Sequence, residues 1–294
     1  KVNRAFTQTS GSRAIEEGIY YAAEYADVIN ISLGSATSVE YIETAINYAV
    51  SQGLVIVAAS GNDGISSVSY PAAHSNTIAV GSVNNDNTRS NYSNYGAELD
   101  FVAPVGAGPS PNNTVWQETL SCLDTCDETS NFTQYSHKYG IGTSYAAPQV
   151  AAAIALIKGF DKSLTQSTVK DILISTVDDV GTAGRDDETG HGILNLENIY
   201  NSVHTLEYSA GTGGSIVGET TQNIFTGYNG SEVTATPNSG YEFDQWSDGV
   251  LTASRTDLNV TEDIIVTANF NQTQHTLTYN AGEGGTISGT AVQT

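Results

Sequence analysis

Gly142-Thr143-Ser144-Tyr145-Ala146-Ala147-Pro148, followed without a break by Gln149 and the apolar run Val150-Ala151-Ala152-Ala153-Ile154-Ala155-Leu156-Ile157, reads as a serine at the mouth of a buried helix. Gly142 permits a tight turn and close backbone approach. The small residues and Pro148 suit a first helical turn, where no intrahelical donor is needed. A run apolar on every face predicts a central helix packed on all sides. Ser144 then sits where such a helix points its free N–H groups and about half a positive charge, a setting that favours negative charge developing on a carbonyl oxygen bound beside it.

Upstream of this stretch, strand-like and helix-like patterns alternate. Ile15, Ile19 and Ala22 recur at helical spacing with Glu16, Glu17 and Glu24 between them, predicting a surface helix over 13–25. Val28-Ile29-Asn30-Ile31-Ser32-Leu33 is a nearly continuous apolar run, as for a parallel strand covered on both faces. Thr37 to Glu40 spells a capping box ahead of the stripe Val39, Ile42, Ile46 and Val50, which Gly53 ends. A second buried strand follows at Leu54 to Ala58, and Thr77 to Val83 and Leu99 to Val102 are further strand candidates. Strand, helix and strand in this order predict an α/β domain, three layers around a mostly parallel sheet. The stretch from Gly106 to Gly140 has no clear period and predicts surface hairpins around the serine, and Val169, Ile172 and Leu173 mark one more amphipathic helix.

Four blocks in a fixed order carry a family resemblance. They are Asp27-Val28-Ile29-Asn30-Ile31-Ser32-Leu33-Gly34, then Leu54-Val55-Ile56-Val57-Ala58-Ala59-Ser60-Gly61-Asn62, then Tyr70-Pro71-Ala72 through Leu99-Asp100-Phe101-Val102-Ala103-Pro104, and finally the Ser144 motif. Together with the closing Gly190-His191-Gly192-Ile193-Leu194-Asn195, they resemble the subtilisin-like serine peptidases, the subtilases, over residues 1–203. The resemblance implies the C-terminal part of a subtilisin-like fold. It also implies an endopeptidase that cleaves extracellular proteins through an acyl-enzyme on Ser144, with the Asn62 amide and the Ser144 N–H holding the oxyanion. On its own Asn62 reads equally as a turn residue of Gly61-Asn62-Asp63-Gly64; beside the other blocks it reads as the oxyanion donor. Ser32, Leu33 and Gly34 on one side and Ala59, Ser60 and Gly61 on the other are small enough at the backbone for an extended peptide to add as a strand, with broad specificity.

The base and its orienting acid have no counterpart here. No Asp-Ser-Gly, Asp-Thr-Gly or His-Gly-Thr occurs, and His74 and His137, the histidines ahead of Ser144, stand in polar surroundings without the expected neighbours. Both missing groups are therefore expected upstream of Lys1, and residues 1–294 alone are expected to be inactive. The alternative is a degenerate peptidase-like surface or adhesion protein that works through its C-terminal repeats. Three departures from the family stand out: Tyr145 where methionine is frequent, Gln149 for a frequent histidine, and Val105 for a frequent glycine. With Tyr145 in that place the oxidation-sensitive thioether frequent beside the family's nucleophile is absent, so the complete enzyme is expected to tolerate peroxide.

Charge narrows the partners. The formal net charge is −22, with 9 basic against 22 acidic residues up to Val203 and 1 against 10 from His204 onward, which disfavours nucleic acid and anionic lipid throughout. Protein or peptide substrates are the expected partners. No apolar run approaches the ~18 residues of a membrane span. The setting implied is bacterial, secreted or at the cell surface. Cys122 and Cys126 lie in a polar loop where a local disulfide leads over two free thiols and a metal site. Asp178, Asp179, Asp186 and Asp187 crowd a turn; a solvated loop leads over a calcium site, although structural calcium is implied by the resemblance. The chemistry itself requires no cofactor.

From His204 the composition changes to Thr, Gly, Asn, Val and aromatics at alternating spacing, an all-β signature. His204-Thr205-Leu206-Glu207-Tyr208 recurs as His275-Thr276-Leu277-Thr278-Tyr279, which divides the region into one repeat over 204–271 and the start of another over 275–294. The repeats resemble small β modules of bacterial surface proteins, able to contact a cell surface or polysaccharide or to act as spacers. Tyr241, Phe243 and Trp246 are expected to fill a small core in preference to binding sugar.

Overall fold

The computed structural model describes residues 8–108, 114–120 and 135–293. Cys122 and Cys126 lie outside the described residues. The chain divides into two compact units, Lys1–Tyr200 and Asn201–Thr294.

In the first unit the elements follow as α1 (Gln8–Ala23), β1 (Val28–Ile31), α2 (Glu40–Ser51), β2 (Val55–Ala59), β3 (Ile78–Val83), β4 (Phe101–Pro104), β5 (Val115–Leu120), β6 (Tyr135–Gly140), α3 (Thr143–Phe160), α4 (Gln166–Thr176) and α5 (Leu196–Asn201). Strands β1 to β4 form a parallel sheet in sequence order, with Val28 opposite Val55, Val57 opposite Ile78 and Val80 opposite Phe101. Period-two alternation sends Ile56, Ala58, Ala79 and Val102 to one face, where they join Ile19, Ile42, Ala45 and Ile46 of α1 and α2. The alternate residues Val55, Val57 and Val80 face the other way, and α3 packs across all four strands. The expected three layers are present.

Three local expectations change. Among the described residues strand β1 pairs only with β2, Asn30 is exposed and only Ile31 of its four residues is buried. The capping box does not form: α2 starts at Glu40 behind a Val39 N-cap, and Ser38 gives its hydroxyl to the Glu43 carboxylate instead. Helix α3 is not enclosed on all sides. Val150, Ala153, Ile154 and Ile157 are buried at spacings of three and four, while Leu156 is 57% exposed.

Pro148 lies in the second turn of α3, not the first. Lacking an N–H, it leaves the Ser144 carbonyl four residues earlier without a helical partner. The far end of α3 is tied by Lys158, whose buried ammonium donates to the carbonyls of Gly53 (3.0 Å), Lys162 (2.6 Å) and Leu164 (2.9 Å).

The second unit contains β7 (Val203–Ala210), β8 (Gly214–Val217), β9 (Thr221–Phe225), β10 (Val233–Pro237), β11 (Tyr241–Trp246), β12 (Ser254–Arg255), β13 (Ile264–Gln272), β14 (Leu277–Thr278) and β15 (Val292–Gln293). Besides the antiparallel pair β14-β15, one sheet runs β12-β10-β8 and the other β11-β13-β7-β9. Within the latter, β7 and β13 are parallel neighbours, in register from Leu206 opposite Ile264 to Ala210 opposite Ala268. Trp246 is fully buried among Leu206, Tyr208, Val233 and Val266, with Phe243 packed against them, so these two aromatics fill the core as expected. Arg255 is also buried, paired to Asp257 at 2.6 Å and Asp248 at 3.0 Å, and its guanidinium lies 5.1 Å from the Trp246 ring centre.

Candidate active site

The end of β2 presents Asn62. Ser60 is fully buried, its N–H donating to the Val80 carbonyl (2.9 Å) and its carbonyl accepting from the Ser69 N–H (2.8 Å). Gly61 then turns with φ of +109°, and a Cβ there would collide with the Asn94 amide and the Ser69 hydroxyl. Asn94, itself buried, clamps the turn: its N–H donates to the Gly61 carbonyl, and its Oδ1 accepts from the Asp63 N–H (2.8 Å) and the Ile65 N–H (3.4 Å).

The mouth of α3 faces this turn. Gly142, at φ of +127°, is the N-cap, and a Cβ on it would stand 3.4 Å from Asn62 Nδ2. Asn62 Oδ1 accepts from the Thr143 N–H at 2.8 Å and stands 3.0 Å from the Thr143 hydroxyl. With the oxygen end of the amide held in this way, the donor end is set against the opening of the helix. Tyr92 supports the same corner, its hydroxyl accepting from the Gly142 N–H (3.0 Å) and donating to the Gly106 carbonyl (2.6 Å).

Ser144 and Ser32 bond reciprocally. The Ser144 hydroxyl donates to the Ser32 carbonyl at 3.2 Å, and the Ser32 hydroxyl donates to the Ser144 carbonyl, the one that Pro148 leaves free, at 3.0 Å. The N–H groups of Gly142, Thr143 and Tyr145 are taken by the Tyr92 hydroxyl, Asn62 Oδ1 and the Gly142 carbonyl. Among the described residues, the Ser144 N–H has no acceptor. An open N–H and a fixed carboxamide donor thus stand beside a hydroxyl, an arrangement suited to stabilising an oxyanion on a carbonyl attacked by that hydroxyl.

Leu33 and Gly34 continue past Ser32 into a groove of about 320 Å³, walled also by Ile15, Ile42, Glu43 and Tyr70. Gly34 is needed there because a Cβ would press on the Tyr70 carbonyl at 2.9 Å. Ala59 is paired to Val80, and the Ser60 and Gly61 backbone groups are all engaged, Gly61 N–H by the Thr143 hydroxyl at 3.2 Å. These bonds hold Ser60 and Gly61 in place beside the Asn62 turn.

His74 accepts from the Asn76 N–H, and His137 lies against Trp116 on the β5–β6 hairpin. The acidic turn is internally bonded. Asp186 accepts from the Thr182, Glu188 and Thr189 N–H groups, and Asp178 from the Asn195 and Asn198 amides. Burial pushes the Asp186 carboxyl up, but these bonds hold it below its ordinary value. Among the described residues, no group of three His, Cys, Asp or Glu side chains is gathered to hold a metal ion. Thr143, Asn94 and Tyr92 were not singled out from the sequence. The last two stand in a polar loop without period, where only the structure shows them turned inward.

The subtilase family model matches residues 1–192, and the divergent InlB B-repeat domain matches 204–274. Subtilisin BL of Lederbergia lenta is 36% identical over 185 residues, covering 63% of this chain and 60% of that protein. Minor extracellular protease Epr of Bacillus subtilis (strain 168) is 33% identical over 184 residues, 62% of this chain and 25% of that one. Among solved structures, a protease from Pseudoalteromonas arctica PAMC 21717 superposes with a TM-score of 0.56 at 32% identity, covering 64% of this chain and 57% of its own. The chain thus spans less than two thirds of the length of these relatives.

Proposed function

The chain belongs to the subtilase family, and from that premise we propose that it carries the nucleophile and oxyanion donors of a secreted serine endopeptidase. Ser144 attacks the peptide carbonyl, Asn62 Nδ2 and the Ser144 N–H receive the oxyanion, and an acyl-enzyme forms on the Ser144 oxygen. The proton leaves Ser144 to a histidine, oriented by an aspartate, both supplied by residues upstream of Lys1 in the whole protein. The substrate lies extended between Ser32, Leu33 and Gly34 on one side and Ala59, Ser60 and Gly61 on the other. The observation that carries this reading is the open Ser144 N–H beside an Asn62 amide fixed by Thr143.

The test is labelling of the whole protein, upstream residues included, with a fluorophosphonate, alongside casein hydrolysis. Wild type is expected to label and hydrolyse, and Ser144→Ala to do neither. Absence of labelling in a folded wild-type protein whose upstream segment lacks the histidine would move the reading to a surface-binding protein acting through its repeats.

A further inference from the structure

The β5–β6 hairpin leads directly into the nucleophile turn, with Ile141 alone between β6 and Gly142. Its register sets Trp116 opposite Tyr139, Glu118 opposite His137 and Leu120 opposite Tyr135. Directly opposed residues share a face, so Trp116, Glu118, Tyr135, His137 and Tyr139 all stand on one side, and all five are exposed. Gln117 and Lys138 are half-buried on the other. The Trp116 ring lies 4.5 Å from that of Tyr139 and 5.5 Å from that of His137, at an interplanar angle of 16° to the latter, yet Trp116 remains 56% exposed. An indole held in water by ordered neighbours forgoes the burial that a core position would give it.

The hairpin is fixed to the helix that bears Ser144. Gln117 Nε2 donates to the Tyr145 hydroxyl at 3.0 Å, and the Tyr145 ring occupies the space where Gly140 would carry a Cβ. The strand pair that carries the outer face is therefore joined to the helix of Ser144 twice, along the chain through Ile141 and across space through Gln117. Ring faces are electron-rich, and Glu118 adds a carboxylate among them; both attract a lysine or arginine side chain. The formal charge of −22 draws basic ligands toward the chain and repels acidic ones.

We propose that this face is a docking surface for a lysine- or arginine-bearing stretch of the polypeptide substrate. The proposal rests on the peptidase reading and adds to it a preference for basic residues away from the scissile bond.

The test uses the Ser144→Ala chain, so that nothing is cleaved, with fluorescence anisotropy of a labelled short peptide of alternating alanine, lysine and arginine. A second peptide carries glutamine at every basic position. The basic peptide is expected to bind about tenfold more tightly, and Trp116→Ala and Glu118→Gln are each expected to weaken it about threefold to tenfold. Equal binding of the two peptides, or indifference of the basic one to both substitutions, overturns the proposal. So does Trp116-dependent binding of soluble xylan without peptide binding. Because no hydrolysis is involved, failure here leaves the fluorophosphonate result standing, and failure of labelling leaves the binding result standing.

Discussion

Thr143 donates its backbone N–H to Asn62 Oδ1 at 2.8 Å, with its buried hydroxyl 3.0 Å from the same oxygen. Thr143 thereby fixes the oxygen end of the Asn62 amide and leaves the nitrogen end turned to the mouth of α3. Thr143→Val keeps the shape and the N–H but removes the hydroxyl, and is expected to lower kcat of the whole enzyme about fivefold to tenfold with KM little changed, roughly one hydrogen bond's net worth. Thr143→Ser should restore it. Asn62→Leu should lose far more, on the order of a hundred- to thousandfold in kcat, a range established for the oxyanion asparagine of subtilisin and not obtained from this geometry. A larger effect of either substitution on KM than on kcat would argue that these residues bind substrate and not its transition state.

Pro148 lets the Ser144 carbonyl accept from Ser32, since no N–H competes for it. Pro148→Ala supplies that N–H and relieves the ring's clash with the preceding turn, worth up to about 3 kcal/mol in a helix interior. Thermal unfolding is expected to shift upward while turnover falls, as Ser32 loses its hold on the nucleophile. Unchanged turnover in a stabler protein would show that the Ser32 contact is dispensable.

Tyr145 occupies a position next to the nucleophile where a thioether would be open to oxidation, and its hydroxyl is engaged by Gln117. Activity of the whole enzyme is expected to survive peroxide treatment that inactivates a relative with methionine there. Rapid loss of activity with Cys122 and Cys126 unmodified by mass spectrometry would contradict this.

In the repeat unit, burial pushes the Asp257 carboxyl up, but hydrogen bonds from Arg255 and Tyr208 outweigh it and hold it below the ordinary 3.8. A carboxyl that titrates lower when folded lends stability above its unfolded value, and that contribution drains away as pH falls through the folded one. Urea midpoints followed by near-ultraviolet circular dichroism of buried Trp246 should therefore fall as pH is lowered from 5 toward 2. Asp257→Asn should flatten that dependence and lower stability at pH 7 by about 3 kcal/mol, because buried Arg255 loses its closer partner. An unaltered pH profile in the variant would assign the acid sensitivity to other carboxylates.

The parts of the fold legible in the sequence are those set by period. Val55 to Ala59 and Ile78 to Val83 are buried along their whole lengths, and their composition says so directly. The turns before Asn62 and Ser144 were legible because Gly61 and Gly142, both at positive φ, mark them. What the sequence concealed depends on neighbours distant along the chain. Ser38 and Glu43 satisfied each other where a capping box was expected, a competition settled by geometry. Asn94 reaches across 31 residues to hold the Asn62 turn, and no local pattern announces such a bond.

The parallel pairing of β7 with β13 governs how the repeat bears mechanical load. The chain enters the first repeat on β7 and comes out of it on β13, the hydrogen-bonded neighbour running the same way. Tension applied through the chain ends pulls the two strands past each other, so the bonds from Leu206–Ile264 to Ala210–Ala268 are sheared together and not peeled one by one. Such a module would resist stretching along its axis. A single-molecule pull between residues 203 and 272 is expected to require more force than one between 210 and 268, which opens the same pairs from one end. Equal forces would show that the strand pair is not the mechanical clamp.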